Sequence, residues 1–322
     1  MRFSIVITTY NRLSLLKRAI ASALGQTVPC EVVVVDNCSS DGTEEYVRSL
    51  GDQVVYHRNP GNLGHSGAVN AGVQVAQGDW IKPVDDDDYL APNCIEAMTQ
   101  AIALRPQAAI CSCQAAQVDD QGTELSRTRK VGPGQAFYIP QEDVHYGMLL
   151  EQVPFGTPIQ VAFRRDAFLE SGGWDTSLTS CDDIDSWIRI AKYGDALFIN
   201  ECLTYRTVWP GGYDQKIALE TRMNTNIVMK EKIHALVAEK YCSAIPAIQD
   251  IRNYLRLHWG LVALKQKKIT NALQMMLPAT TSPAAWKLLL GARKGHQPNP
   301  AIRKLVLLDS QLTDKEPVLL DS

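Results

Sequence analysis

Glu31-Val32-Val33-Val34-Val35 is an almost unbroken β-branched run, and it leads into Asp36-Asn37-Cys38-Ser39-Ser40-Asp41-Gly42. A strand with one face in water alternates polar and apolar residues. One covered on both faces does not, and strands of that kind belong to parallel sheets flanked by helices. The chain on either side follows the same pattern. Before it, Phe3–Thr8 (FSIVIT) predicts a strand, and Ser14–Leu24 carries Leu15, Leu16, Ala19, Ile20 and Ala23 at helical spacing. After it, Asp41–Leu50 predicts a helix with Asp41 as its N-cap, Gln53–His57 a third strand, Gly67–Ala76 a small-residue helix and Asp79–Val84 a fourth strand. This alternation predicts a parallel α/β sheet whose ligand lies beyond the carboxyl ends of the strands. Polar residues collect at those ends: Thr8–Asn11, Asp36–Asp41 and Asp85–Asp88.

Further along, a helix is expected over Cys94–Leu104, a strand over Ala108–Cys113, and a turn around Arg165–Glu170 and Gly172-Gly173. That turn enters an amphipathic helix, Ile184–Tyr193. Beyond Gly212 the pattern is helix after helix. From Ile251 to Gly295 there is no Asp or Glu, while Arg252, Arg256, Lys265, Lys267, Lys268, Lys287, Arg293 and Lys294 are interleaved with Leu, Met and Trp. Two readings stand here: peripheral contact of 251–295 with anionic lipid, or a helical bundle with a solvated basic face. The tail 301–322 has lost that bias and is expected to be poorly ordered from Leu307.

The whole chain has 322 residues, 45% hydrophobic and 21% charged, the mix of an ordinary globular protein of roughly two domains. Lys plus Arg number 32 and Asp plus Glu 35, a net charge of -3 that speaks against nucleic acid as a partner. The eight cysteines are scattered without a CxxC pair, as for reduced thiols in a cytoplasmic protein. The apolar run of Met1–Tyr10 is too short for a signal peptide, and no 18-residue apolar stretch is present to span a bilayer.

Asp85-Asp86-Asp87-Asp88 carries the chemistry. Four adjacent carboxylates repel one another and stay together in a fold only with compensation. A hard divalent cation, Mn²⁺ or Mg²⁺, is a natural partner for oxygen ligands. Magnesium leaves coordination positions to water and phosphate oxygens, which points to a diphosphate-bearing ligand. There is no P-loop lysine and no GxGxxG; Gly61, Gly64 and Gly67 have a different spacing. The six histidines show no metal-ligand spacing and read as structural.

Val6-Ile7-Thr8-Thr9-Tyr10-Asn11-Arg12, Gln26-Thr27, Val34-Val35-Asp36-Asn37-Cys38-Ser39-Ser40-Asp41-Gly42-Thr43, Asn62-Leu63-Gly64, Asn70-Ala71-Gly72 and the strand into Asp85–Asp88 occur in this order. With Gly172-Gly173-Trp174-Asp175 and Asp182-Asp183-Ile184-Asp185 they resemble the family 2 glycosyltransferases over roughly residues 3–210. The resemblance implies a GT-A fold over 1–215, with a Rossmann-like nucleotide-sugar-binding half (1–95), an acceptor-binding half (96–215) and a mainly parallel mixed sheet. The basic helical region (216–300) and the tail (301–322) follow it. The resemblance also implies a UDP-, GDP- or dTDP-sugar donor, a divalent metal and inversion at the anomeric carbon.

Carried over by position, Thr8, Tyr10 and Asp36 line the nucleoside pocket, with Asp36 accepting from the base, and Asn11 and Asn62 belong to the same donor site. Asp85 lies near the ribose with Asp86 beside it, Asp87 ligates the metal, and Asp183 is the catalytic base. Asp182 and Trp174 fall on the acceptor side. From the residues alone, Asp182 or Asp183 is equally a helix N-cap, and Trp174 and Trp209 either stack on sugar rings or sit in the core. The chain departs from the family in three places. Tyr205-Arg206-Thr207-Val208-Trp209-Pro210 lacks the histidine that often follows, Asp182-Asp183 stands where Glu-Asp is commoner, and Val69 replaces a frequent arginine.

The expected function is metal-dependent inverting transfer of a sugar to a glycan, lipid-linked or protein acceptor, in cell-surface polysaccharide or glycan synthesis. The alternative is an inactive sugar-nucleotide-binding partner of another transferase.

Overall fold

A computed structural model describes residues 1–151, 155–209, 217–292 and 302–305. Its first part is built from β1 (Phe3–Thr9), α1 (Leu13–Leu24), β2 (Glu31–Asp36), α2 (Thr43–Ser49), β3 (Val55–Arg58), α3 (Gly64–Val75) and β4 (Trp80–Asp85). The strands pair in parallel in the order β4-β1-β2-β3. Every residue of β1 is buried, and all of β2 after Glu31. Alternate side chains enter two cores: Val6, Val33 and Val35 meet Ala68, Val69 and Val73 of α3, while Ile5, Ile7, Val32 and Val34 meet Leu16, Ala19 and Ile20 of α1. Full burial of such aliphatics is worth about 1.5–3 kcal/mol each, which is why this sheet is the molecule's anchor.

The register sets the site. Thr8 pairs with Val35 on one side and Asp85 on the other, and Thr9 pairs with Asp36, so the polar ends of three strands stop at one level. α3 lies close against them. A Cβ on Gly72 would stand 2.3 Å from Val6 Cγ1 and 2.8 Å from Val35 Cγ2. Two residues earlier, Asn70 accepts from the Trp174 amide (2.8 Å) and donates to its carbonyl (2.9 Å). Asn70-Ala71-Gly72 is thus a packing device joining α3 to the sheet and to the acceptor-side segment.

The second part contains β5 (Tyr89–Leu90), α4 (Cys94–Leu104), β6 (Ala108–Val118), β7 (Glu124–Arg127), β8 (Ala136–Ile139), α5 (Gln141–Leu149), β9 (Val161–Arg164), α6 (Arg165–Glu170), α7 (Asp182–Ile190) and β10 (Asp195–Thr207). β9 runs antiparallel to both β4 and β6 and joins the two parts into one sheet. β10 is parallel to β6, antiparallel to β8 and β5. The sheet is therefore mixed, as expected, with parallel pairing among β1–β4 and again between β6 and β10.

Several boundaries differ from the sequence reading. α2 starts at Thr43 after Gly42 (φ +87°), because the Asp41 carboxylate is occupied by the Leu13 amide (2.9 Å) and the Thr43 hydroxyl (2.6 Å) and does not cap a helix beginning at itself. Gly51–Gln53 form a 3₁₀ turn, so β3 begins later. α3 begins at Gly64, where the Asn62 side chain takes the Gly64 amide. β6 continues past Cys113 to Val118, since β10 pairs with it along that whole extension.

Helices Leu219–His234, Ile248–Lys265, Ile269–Met276 and Pro283–Ala292 follow. Met229, Ile233, Ile251 and Leu255 share a core with Trp187 and Phe163, so the first two helices dock on the sheet body. Part of the 301–322 tail is sheet: Arg303–Leu305 pairs antiparallel with β8 and buries Leu305. The expectation of disorder from Leu307 concerns positions outside the described residues. Among the described residues no helix is long and apolar enough to cross a membrane.

Candidate active site

The acidic run turns sharply after β4: the Asp88 amide donates to the Asp85 carbonyl at 3.0 Å. That turn sorts the four carboxylates. Asp85, Asp87 and Asp88 offer ligand oxygens within 4.8 Å of one another. Asp86 is outside that group, 5% exposed, and accepts from the Thr9 hydroxyl (2.8 Å), the Tyr10 amide (3.4 Å) and Arg12 (3.3 Å). Asp86 therefore braces the β1–β4 edge and does not line a donor pocket, which corrects the sequence reading. The metal assignment to Asp87 widens to a triad. An all-oxygen set of this spacing suits a hard divalent cation.

Electrostatics supports that fit. Burial, then the charge of Asp85, raises the Asp87 carboxyl, and burial with both neighbours' charges holds Asp88 well above the usual range. Burial pushes Asp86 up to about 6. The protein offsets part of this repulsion itself. Arg12 Nη1 lies 3.0 Å from Asp87 and 3.3 Å from Asp86. Arg18 donates to the Asp87 carbonyl and the Thr207 hydroxyl, both at 2.7 Å. The far end of β10 closes the group: the Thr207 amide donates to Asp88 (2.8 Å) and the Trp209 indole N–H to Asp87 (2.9 Å). Where the family often has a histidine, this chain places a tryptophan donor on a candidate metal ligand.

Across from the triad stands the N-terminus of α7. Cys181, with φ +58°, is the residue before its first turn, so Asp182 and Asp183 are helical residues and neither is the N-cap. Asp182 accepts from the Ser66 hydroxyl (2.5 Å) and is committed to α3. Asp183 accepts only the amide of Ile184 (2.7 Å) among the described residues, and burial pushes its carboxyl up to about 6, with Asp182's charge adding to the rise. A carboxyl raised in this way has the property that acid–base chemistry near neutral pH calls for.

His65 links the two sides. Its Nε2 is 2.7 Å from Asp85 and its Nδ1 3.9 Å from Asp182. Burial lowers its pKa, but the charge and hydrogen bond of Asp85 and the charges of Asp182 and Asp183 outweigh this and carry it up to about 9. The sequence reading treated every histidine as structural. No spacing rule finds His65, because its partners lie on β4 and α7, remote in sequence. The one available signal was its position in the first turn after Asn62-Leu63-Gly64.

Trp174, expected to meet acceptor, is 2% exposed. It packs edge-on against His65 (5.2 Å) and Trp187 (6.0 Å), forming the floor under His65 and offering no face to a sugar.

The residues expected at a nucleoside pocket gather at the same sheet edge, each with different partners. Thr8 is 7% exposed at the end of β1, and Tyr10 is open at 46%. Asn11, at φ +53°, donates its backbone amide to the Ser39 hydroxyl oxygen (2.9 Å) and accepts from the Ser40 amide on its side-chain oxygen (2.7 Å), pinning the two loops together. Asp36 is fully buried. Its oxygens accept from the Ser39 amide (2.7 Å), the Tyr56 hydroxyl (2.7 Å) and Arg58 (2.6 Å), so the protein's own donors take up most of the carboxylate that the sequence reading assigns to a base. Asn62 is held by Asn37 (2.8 Å) and the Gly64 amide, shaping the loop that presents His65.

A Rossmann-like sheet edge, an oxygen triad and the Asp183 carboxyl at the start of α7 together make a candidate active site on an α/β fold. The family model described as Glycosyl transferase family 2 matches residues 4–172, and the chain belongs to that family. An uncharacterized glycosyltransferase of Haemophilus influenzae is 29% identical over 211 residues, 63% of this chain and 67% of that one. The chain spans about two thirds of the length of the curated relatives it matches. In fold it is similar to S. aureus TarS 1-349 in complex with UDP-GlcNAc (TM-score 0.59, 14% identity, 86% of this chain and 90% of that chain). It is also similar to the mannosyltransferase PcManGT of Pyrobaculum calidifontis in complex with GDP-Man and Mn²⁺ (TM-score 0.54, 20% identity, 91% and 80%). Both neighbours establish the GT-A fold.

Proposed function

We propose that the protein is a metal-dependent, inverting glycosyltransferase that moves a sugar from a nucleoside-diphosphate sugar to an acceptor hydroxyl during glycan or polysaccharide synthesis. The observation that carries this reading is the pairing of the Asp85–Asp87–Asp88 triad with Asp183 on the opposing helix.

Asp183 takes the proton from the acceptor hydroxyl as that oxygen forms the new glycosidic bond and the bond from the anomeric carbon to the diphosphate breaks. Inversion requires base and triad to flank the sugar on opposite faces, so that attack and departure are in line and an α-linked donor yields a β-linked product. Asp85, Asp87 and Asp88 would hold Mn²⁺ or Mg²⁺, which when bound neutralises charge on the leaving diphosphate. Arg12, already beside Asp87, and His65, held on Asp85, add positive charge at the same edge. Tyr10 is the open aromatic at the nucleoside end. The nucleotides bound by the two structural neighbours, UDP-GlcNAc and GDP-Man, define the first donors to try.

The test is a panel of UDP-, GDP- and dTDP-sugars with and without Mn²⁺, read as nucleotide release in wild type, Asp87→Asn and Asp183→Asn. Metal-dependent release in wild type, weakened in both variants, supports the reading. Tight donor binding with no turnover under any metal rejects it in favour of an inactive sugar-nucleotide-binding subunit.

A further inference from the structure

Among the described residues, the helices Ile269–Met276 and Pro283–Ala292 are covered on one side only. Inward, Ala272 and Met275 pack on Ala263, Leu219 and Met223, and Ala285 and Leu289 pack on Leu257 and Ala279. The outward side of an ordinary surface helix is polar. Here it is not: Ile269, Leu273 and Leu277 form one stripe at 64%, 63% and 73% exposure. The stripe continues into the next helix. Thr280 donates back to the Leu277 carbonyl (3.0 Å) and accepts the Trp286 indole N–H (2.9 Å), which brings the half-open Trp286 alongside, with exposed Leu290 one turn on. Isolated exposed apolar residues are unremarkable, but a contiguous row across two helices is not.

The charge around this row is one-sided. Lys265, Lys267, Lys268 and Lys287 are exposed, and among the described residues none pairs with an acid. Positions 251–292 contain no Asp or Glu at all. The structure narrows the basic set read from the sequence, because Arg252 is paired with Glu231 (2.6 Å) and Arg256 lines a cleft with Glu220. What is left is an apolar strip bordered by lysines.

We propose that this face lies on an anionic bilayer, with the Ile269–Leu273–Leu277 stripe and Trp286 in the headgroup–acyl boundary and the four lysines on acidic headgroups. A bilayer satisfies both features at once, since apolar area and Lys/Arg charge act together in interfacial binding. A second copy of the chain does not: a two-fold contact places each patch on its own image and sets lysines against lysines. The proposal is independent of the catalytic reading and its test uses no donor.

The experiment is co-sedimentation of the full chain with phosphatidylcholine vesicles, with and without phosphatidylglycerol, over a range of salt. Wild type is expected to bind the anionic vesicles, less as salt rises. Leu273→Asp and Leu277→Asp are expected to weaken binding by at least about tenfold, and Lys267→Glu with Lys268→Glu to weaken it and flatten the salt dependence. All four sites are exposed, so unchanged thermal melts keep the result interpretable. No vesicle binding by wild type, equal binding to neutral vesicles, or a stable dimer in light scattering that Leu273→Asp splits would each overturn the proposal.

Discussion

At neutral pH Asp183 is a carboxylate in surroundings that favour its acid form. Burial is the main cause and Asp182's charge the next, and together they bring its pKa to about 6 from an ordinary 3.8. A base of this kind works only when deprotonated. Under the proposed mechanism kcat/KM therefore rises about tenfold per pH unit below 6 and levels off above it. Asp183→Asn is expected to lower turnover by about 10²–10⁴ with donor binding retained, and to lose that acid limb. The same shift has a stability consequence of opposite sense. A group whose folded pKa is raised contributes stability that is full below its unfolded value near 3.8 and lost as pH climbs through about 6. Asp183→Asn should then be more stable than wild type at pH 7.5, by up to about 3 kcal/mol, with the gap closing toward pH 4 in urea titrations. A variant that is less stable at both pH values would show that the burial of this carboxyl is overstated.

α3 is the element that makes the site geometric. Its first turn carries His65 and Ser66 to the acidic pairings, and its middle carries Asn70 and Gly72 to the acceptor segment and the sheet. The small residues of this helix read, in sequence, only as weak helical patterning. The sheet behind them explains their size, because Val6 and Val35 leave no room for a side chain at Gly72. Gly72→Ala is expected to destabilise by about 1–3 kcal/mol through overpacking, despite alanine's better helix propensity. Urea denaturation checks this; a stabilised variant would mean that α3 can slide without cost. β10 has the complementary role. It was not anticipated as a long strand, yet it delivers Thr207 and Trp209 from the acceptor half to Asp88 and Asp87.

The whole molecule keeps three acids close by tying down both halves around them. Arg12 and Arg18 come from α1 and the turn before it, Thr207 and Trp209 from the end of β10 and just beyond, and the Asp87 and Asp88 carboxyls stay raised by burial first and by their neighbours' charge next. A cation taken up by the triad relieves that repulsion only in the folded state. Mn²⁺ is therefore expected to raise Tm, with a gain equivalent to about 2.7 kcal/mol at a hundredfold excess over Kd, and to do little for Asp87→Asn. Equal shifts in wild type and variant, measured by calorimetry, would place the ion elsewhere.

The parallel sheet and the level at which the acids emerge follow from the strings themselves. Val32–Val35 and Phe3–Thr8 are apolar enough to be buried on both faces, and the polar clusters stand at their carboxyl ends whatever packs around them. Local pattern also placed the acidic run at a strand's carboxyl end, while only the resemblance to the family singled out Asp87 and Asp183. Which acids share a ligand, however, depends on the Asp85–Asp88 turn, and whether Asp36 is open depends on Tyr56 and Arg58 arriving from β3. His65 gained its role from residues on β4 and α7, and Trp174 lost its own by burial beneath that histidine. Periodicity encodes which face of an element is apolar; it does not encode which distant side chains fill a carboxylate's lone pairs, and that is settled only when the elements pack.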